Sequence, residues 1–232
     1  MKKNIDNLEK KLGVKFKDIN ILKNALVHRS YINEHKNFAL DHNERLEFLG
    51  DAVLELVVTD HLYKEYTEAE GVLTNWRSSL VNATQLAIVA EDLGIYDFLY
   101  LSKGESQDKN KKARNYILAN AYEAIVGAIY MDQGYGAADK FIQNNLIVHL
   151  KKIIADKSYI DAKSMFQEKS QEMVGTTPHY KVLTESGPDH NKKFVVGVYL
   201  NKTKVAEGEG YSKQEGQLNA ANKALEVKKW LD

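Results

Sequence analysis

Three carboxylates recur at a telling spacing in Asn43–Leu54, NERLEFLGDAVL, where Glu44, Glu47 and Asp51 stand at i, i+3 and i+7. On a helix these positions fall within roughly 60° of one another, which makes one acidic stripe. Leu46, Phe48, Leu49, Val53 and Leu54 lie among them and predict a largely buried helix. Carboxylates gathered on such a helix repel one another and lose hydration, and a cation or a basic partner is needed to offset both. A second apolar stretch, Tyr116–Ile129, carries Asn120 and Glu123 at i, i+3. If the two helices face each other, oxygens of Glu47, Asp51, Asn120 and Glu123 meet at one point. Hard oxygen donors suit Mg²⁺, with Mn²⁺ as a substitute. A carboxylate-held Mg²⁺ can activate water and stabilise in-line displacement at phosphorus. Spacing alone leaves other readings open. Asp41 and Glu44 have the spacing of a capping box, and Glu47 and Asp51 could form buried ion pairs with Arg29, Arg45 or Arg77. A carboxylate-bridged redox centre calls for Glu-x-x-His pairs, which neither stretch contains.

The elements that must position these groups follow from hydrophobic periodicity. Leu46, Leu49, Val53, Leu56 and Val57 repeat at helical spacing, as do Leu80, Leu86, Ala87 and Ala90, and again Ile117, Ala121, Ala124, Ile125 and Ala128. Gly71, Gly94, Gly104 and Gly134 fall where helices would start or stop, and both prolines, Pro178 and Pro188, lie beyond residue 150. The polar segment Lys103–Arg114 reads as an exposed basic loop. After a lysine-bearing connector at 153–160 the pattern changes. Ala162–Val174 predicts a short helix, and Tyr180–Glu185, Lys193–Leu200 and Lys204–Gly210 alternate like strands. Ser212 is a candidate N-cap for a last helix reaching Trp230. The expected organisation is an all-α domain at 1–152, a linker at 153–160, and a small α-β-β-β-α domain at 161–232.

Composition narrows the chemistry. The 232 residues contain no cysteine, which excludes disulfides and thiolate metal sites. With 44% hydrophobic and 28% charged residues and a mean hydropathy of −0.45, no stretch reads as a membrane span. The charged amphipathic start argues against secretion, and the expectation is a cytoplasmic protein. Net charge is zero, but the balance is uneven. Residues 1–150 hold 18 Lys+Arg against 21 Asp+Glu, and residues 151–232 hold 14 against 11, an acidic front and a basic back.

The run ERLEFLGDAVL resembles the signature of the ribonuclease III family. LVHRSYINEH (Leu26–His35), EGVLTNWRSSLVN (Glu70–Asn82) and YILANAYEAIVGAIYMDQGY (Tyr116–Tyr135) extend the likeness in the same order over most of residues 10–150. The resemblance implies a metal-dependent endonuclease of double-stranded RNA that leaves 5′-phosphate and 3′-hydroxyl ends, in processing of ribosomal, messenger and transfer RNA precursors. It implies Glu47, Asp51, Asn120 and Glu123 at the metal, with Asp51, Glu123 and Glu44 catalytic, and Glu70 as an accessory acid. It also implies a homodimer in which Phe48 inserts into the partner, with no organic cofactor. His28, Arg29 and Ser30 are similar to a structural block. One departure stands out: the family carries aspartate where this chain has Asn120. That substitution motivates an alternative, a silenced nuclease that only binds duplex RNA, although the ordinary surroundings favour an active variant.

Residues 161–232 resemble a double-stranded-RNA-binding domain through DAKSMFQEKSQ, PHYKVL, GPDHNKKFVVGVYL and GYSKQEGQLNAANKAL. Such domains read phosphates and 2′-hydroxyls by shape. The resemblance implies Gln167 and Glu168 as a helix probe, His190 as a loop contact, and Lys213 as a phosphate contact. Gln214 replaces a usual lysine, and Gly216 a usual alanine, the latter at a helix-propensity cost of roughly 0.5–1 kcal/mol.

Overall fold

The computed structural model describes residues 4–156, 159, 162–188 and 192–230. The chain divides into two compact units, Met1–Tyr159 and Ile160–Asp232. The first is helical: α1 (Ile5–Leu12), α2 (Ile19–Ala25), α3 (Arg29–Glu34), α4 (Glu44–Glu65), α5 (Glu70–Leu80), α6 (Ala83–Asp92), α7 (Lys103–Gln107), α8 (Lys111–Gln133), α9 (Tyr135–Asn145) and α10 (Leu150–Ala155), with 3₁₀ turns at Ile95–Phe98 and Ile147–His149. Helix α8 is buried nearly all round from Leu118 to Ile129, apart from Asn120 and Glu123. A helix without a polar face belongs at the centre of a unit, and α4, α6, α9 and α2 pack around it.

Helix α4 departs from the expected burial. Gly50, Val53, Leu54, Val57, Val58 and Leu62 face the core. Phe48 (81% exposed), Leu56 (57%) and Tyr63 (80%) do not. With Ala52 and Thr59, also exposed, they form an i, i+4, i+8, i+11, i+15 stripe. The helix is therefore half-buried and carries an uncovered apolar face.

The segment 103–114 is not a loop. Ser102 Oγ accepts from the Glu105 amide and starts α7, and Asn110 Oδ1 accepts from the Lys112 and Ala113 amides and starts α8. Capping by a side-chain oxygen outweighs the polar composition. Residues 153–155 of the expected linker form the end of α10, and Ile153 is buried in the helical core.

The second unit is an antiparallel sheet in the order β1 (His179–Ser186), β2 (Lys193–Leu200), β3 (Thr203–Gly210), with α11 (Ala162–Val174) and α12 (Lys213–Lys228) packed together. Ser212 caps α12 by accepting from the Glu215 amide, and the helix ends at Lys228 with its C-cap Lys229 in the left-handed region, two residues short of Trp230, whose ring packs against Phe166. Helix α12 lies directly on β3. A Cβ at Gly208 would stand 2.1 Å from the Ala220 nitrogen, and one at Gly216 would stand 2.7 Å from Val196 Cγ2. Gly216 is thus not simply a weakened helix position, because the space an alanine methyl needs is filled by a stiff, buried valine.

Candidate active site

The start of α4 is fixed by Asn43, which is buried. Its Nδ2 donates to the Ala25 carbonyl at 3.2 Å, and its own amide donates to the Val27 carbonyl at 2.8 Å. One turn further, α4 and α8 touch backbone to backbone. A Cβ on Gly50 would lie 1.7 Å from the Glu123 carbonyl oxygen, and one on Gly127 would lie 2.2 Å from the Leu46 oxygen. Gly50 sits between Glu47 and Asp51 in sequence, so this contact sets Glu123 beside both.

The electrostatics match that geometry. Burial, with Asp51 and Glu47 adding repulsion, pushes the Glu123 carboxyl up to about 8. Burial also raises Glu47, helped by Glu44 and Asp51, while a hydrogen bond from the Asn120 side chain opposes the rise. Among the described residues no lysine or arginine pairs with Glu47, Asp51 or Glu123. Arg77 goes instead to Glu55 at 3.0 Å, and Arg29 to Glu44 at 3.2 Å. The ion-pair reading of Glu47 and Asp51 is therefore not met: Arg77 and Arg29 have other partners, and among the described residues Arg45 pairs with neither. The capping-box reading of Glu44 fails too: Asp41 accepts from the His42 amide, and Asn43 is the N-cap residue.

Three repelling carboxylates plus an amide oxygen, without a counter-cation, are a donor set that fits a hard divalent ion. Among the described residues no three acidic or histidine side chains stand close enough to hold an ion as they are. Glu44 is different. It is exposed at the first position of α4, with Arg29 on one oxygen and His42 Nδ1 at 3.6 Å from the other. Glu70 is elsewhere, at the start of α5, lining a groove of about 520 Å³ with Thr59, Tyr63, Tyr66 and Arg77. His28 caps α3 and shares a 2.7 Å hydrogen bond with Ser30, whose Oγ also accepts from the Ser102 amide.

In the second unit, Gln167 and Glu168 are adjacent exposed residues of α11, and Lys213 opens α12. His190 lies outside the described residues.

Comparison with known proteins agrees with this architecture. Residues 18–150 match the Ribonuclease-III-like family, and residues 162–228 match the double-stranded RNA binding motif. Over 230 residues the chain is 43% identical to Ribonuclease 3 of Carboxydothermus hydrogenoformans, covering 98% of this chain and 97% of that one. It is 41% identical to Ribonuclease 3 of Dehalococcoides mccartyi over 224 residues, or 96% and 94% of the two chains.

The chain belongs to the ribonuclease III family.

A solved ribonuclease III nuclease domain from Campylobacter jejuni superposes with a TM-score of 0.54 at 40% identity, over 61% of this chain and 98% of that one, and is described for flexibility in a region involved in dimer formation. The family is metal-dependent, in keeping with the donor set on α4 and α8. Four residues around the site have no role that their sequence context signals: Asn43, Gly50, Gly127 and His42. A small residue on each of two apolar helices was the available signal for the first close contact, but pairing Gly50 with Gly127 needs the crossing point.

Proposed function

We propose that the protein cleaves double-stranded RNA endonucleolytically with Mg²⁺ held by Glu47, Asp51, Glu123 and the carbonyl of Asn120, Mn²⁺ being able to substitute. The observation that carries this reading is the meeting of Glu47, Asp51 and Glu123 across the Gly50–Gly127 contact, with no lysine or arginine paired to them among the described residues. When bound, the metal supplies Lewis acidity at the scissile phosphate. The chain's own residues do the positioning. Asn120 orients the Glu47 carboxylate through their hydrogen bond. Glu123 holds a proton near neutrality and can give it up at its carboxyl oxygen. Glu44, held by Arg29, is a catalytic carboxylate at the rim. Gln167, Glu168, His190 and Lys213 hold the duplex by its backbone.

The acting form is a homodimer in the cytoplasm. Support comes from the uncovered stripe Phe48–Leu56–Tyr63 on α4 and from the open groove between α4 and α5 on the same helix. An exposed aromatic near one end of a helix face and an open groove near its other end can meet their counterparts in a second copy under two-fold symmetry. The products carry 5′-phosphate and 3′-hydroxyl ends, and the substrates are duplex segments of ribosomal and other precursor RNAs. The silenced alternative rests on Asn120 alone and is not favoured, since Asn120 keeps an oxygen at the site and steadies a carboxylate. End-labelled perfect duplex RNA tests the reading. Cleavage of both strands with Mg²⁺, stopped by EDTA and by Glu123→Gln, is expected, and intact duplex under saturating Mg²⁺ would overturn it.

A further inference from the structure

One corner of the second unit gathers the end of β1, the start of β2 and the first turn of α12. Glu185 of β1 is the cross-strand partner of Phe194 in β2, so the two side chains leave the same face of the sheet. The Lys213 ammonium stands 5.7 Å from the centre of the Phe194 ring and 3.3 Å from Glu185 Oε1. On the other side, the Lys192 ammonium is 3.9 Å from Glu185 Oε2. One carboxylate therefore lies between two lysines, one at each oxygen. Beside it Lys193 pairs with Glu209 at 2.5 Å. All these side chains remain open to solvent, from 36% to 58% exposed.

We propose that Glu185 is an internal stand-in for an RNA phosphate: it occupies Lys213 and Lys192 in the unbound protein, and must be displaced when duplex RNA docks. The inference rests on Lys213 being a phosphate contact, as proposed above. A carboxylate and a phosphodiester present the same partner to an ammonium, an anionic oxygen, so the two compete for one place. The balance of the corner is small. Among the described residues of the corner, Lys192, Lys193 and Lys213 face Glu185 and Glu209, and neutralising Glu185 removes one of those two negative charges. Gln214 supplies no charge at the next position, which leaves Lys213 with a larger share of the contact. Glu185 thus sets the domain's affinity for duplex RNA below what its lysines alone would give, and it does so from a position that touches no RNA in the bound state.

The competition has a measurable size. An exposed ion pair of this kind shifts an equilibrium by about two- to fivefold. Each phosphate that gains a full lysine counter-charge steepens the dependence of log K on log salt by close to one unit. The test measures binding of the full-length protein to an RNA duplex of about 20 base pairs, long enough for one domain, in EDTA to prevent cleavage, over a salt series. Glu185→Gln is expected to bind about two- to fivefold tighter at low salt, with a steeper salt slope and an advantage that shrinks as salt rises. Glu185→Asp, which keeps the charge, should stay near wild type. In a Lys192→Ala/Lys213→Ala background the Glu185→Gln gain should vanish, and Lys213→Ala alone should weaken binding. Wild-type affinity and slope for Glu185→Gln, beside a weakened Lys213→Ala, would refute the stand-in while leaving the RNA-binding edge intact. A gain that persists without both lysines would refute it as well, by showing only a general charge effect. If Lys213→Ala binds as wild type does, the edge itself is misassigned and the proposal falls with it.

Discussion

Proton release should accompany metal binding, and its source can be named. The Glu123 carboxyl is pushed up to about 8 from an ordinary 4.5, first by burial and then by Asp51 and Glu47. The folded, metal-free protein therefore keeps a proton between about pH 4.5 and 8 that the unfolded chain has already lost. With more protons bound in the folded state, metal-free stability declines as pH rises through that window, and Glu123 has no further effect above it. A divalent ion needs the carboxylate form, so binding expels the proton. Apparent metal affinity should climb close to tenfold per pH unit from about pH 6 to 7.5 and level off above about 8, the limit for one displaced proton. Titrating Mn²⁺ against the protein, with the free ion followed by electron paramagnetic resonance, measures that slope. Calorimetry in buffers of different ionisation enthalpy counts the proton directly. Glu123→Gln should bind more weakly and lose the slope. The reasoning is refuted by a wild-type affinity that does not change between pH 6 and 8, or by binding without proton release.

Other expectations follow from the same contacts. Asn120→Asp adds a charged oxygen donor, and affinity for hard cations follows ligand charge, so the Mg²⁺ concentration for half-maximal cleavage should fall about fivefold to tenfold. The same change removes the hydrogen bond to Glu47 and should lower metal-free stability by about 1 kcal/mol in a denaturant titration. An unchanged Mg²⁺ curve would remove Asn120 from the ligand set. Gly50→Ala sets a methyl 1.7 Å from the Glu123 oxygen, and α4 must move about 1.6 Å from α8 to restore an ordinary carbon–oxygen contact. Destabilisation of about 3 kcal/mol and weaker metal binding in whatever remains folded are expected, and a wild-type denaturation midpoint would show that the helices do not cross there. Gly216→Ala should lower the stability of the second unit by about 1 kcal/mol, the clash with Val196 outweighing better helix propensity. Thermal unfolding that shifts upward would show that Val196 yields easily.

What the sequence determined by itself was the class of each unit and the kind of chemistry. Apolar repeats at 3.6 and 2 residues are imprinted by local backbone geometry, so the helical first unit and the α-β-β-β-α second unit were legible without knowing any contact. The stripe of Glu44, Glu47 and Asp51 was legible for the same reason, since residues three, four or seven apart on a helix share a face whatever the helix packs against. Residue identity also fixed the donors as oxygen, because the chain has no thiolate to offer.

Tertiary structure decided everything that depends on which helix meets which. Only the backbone contact of Gly50 with Gly127 brings Glu123 to Glu47 and Asp51, and residues more than 70 positions apart have no local signal to report it. Only packing showed that Arg77 is taken by Glu55 and Arg29 by Glu44, which leaves the other three carboxylates unbalanced. The misread segment 103–114 has a local cause. Its polar composition resembled a loop, while Ser102 and Asn110 were satisfying helix-end amides. Burial of α4 was overread because apolar residues lie on both sides of it, and a sequence does not say whether the second side meets its own core or is left uncovered. Long-range placement is set by the shape of the whole core, and that is information no window of neighbouring residues contains.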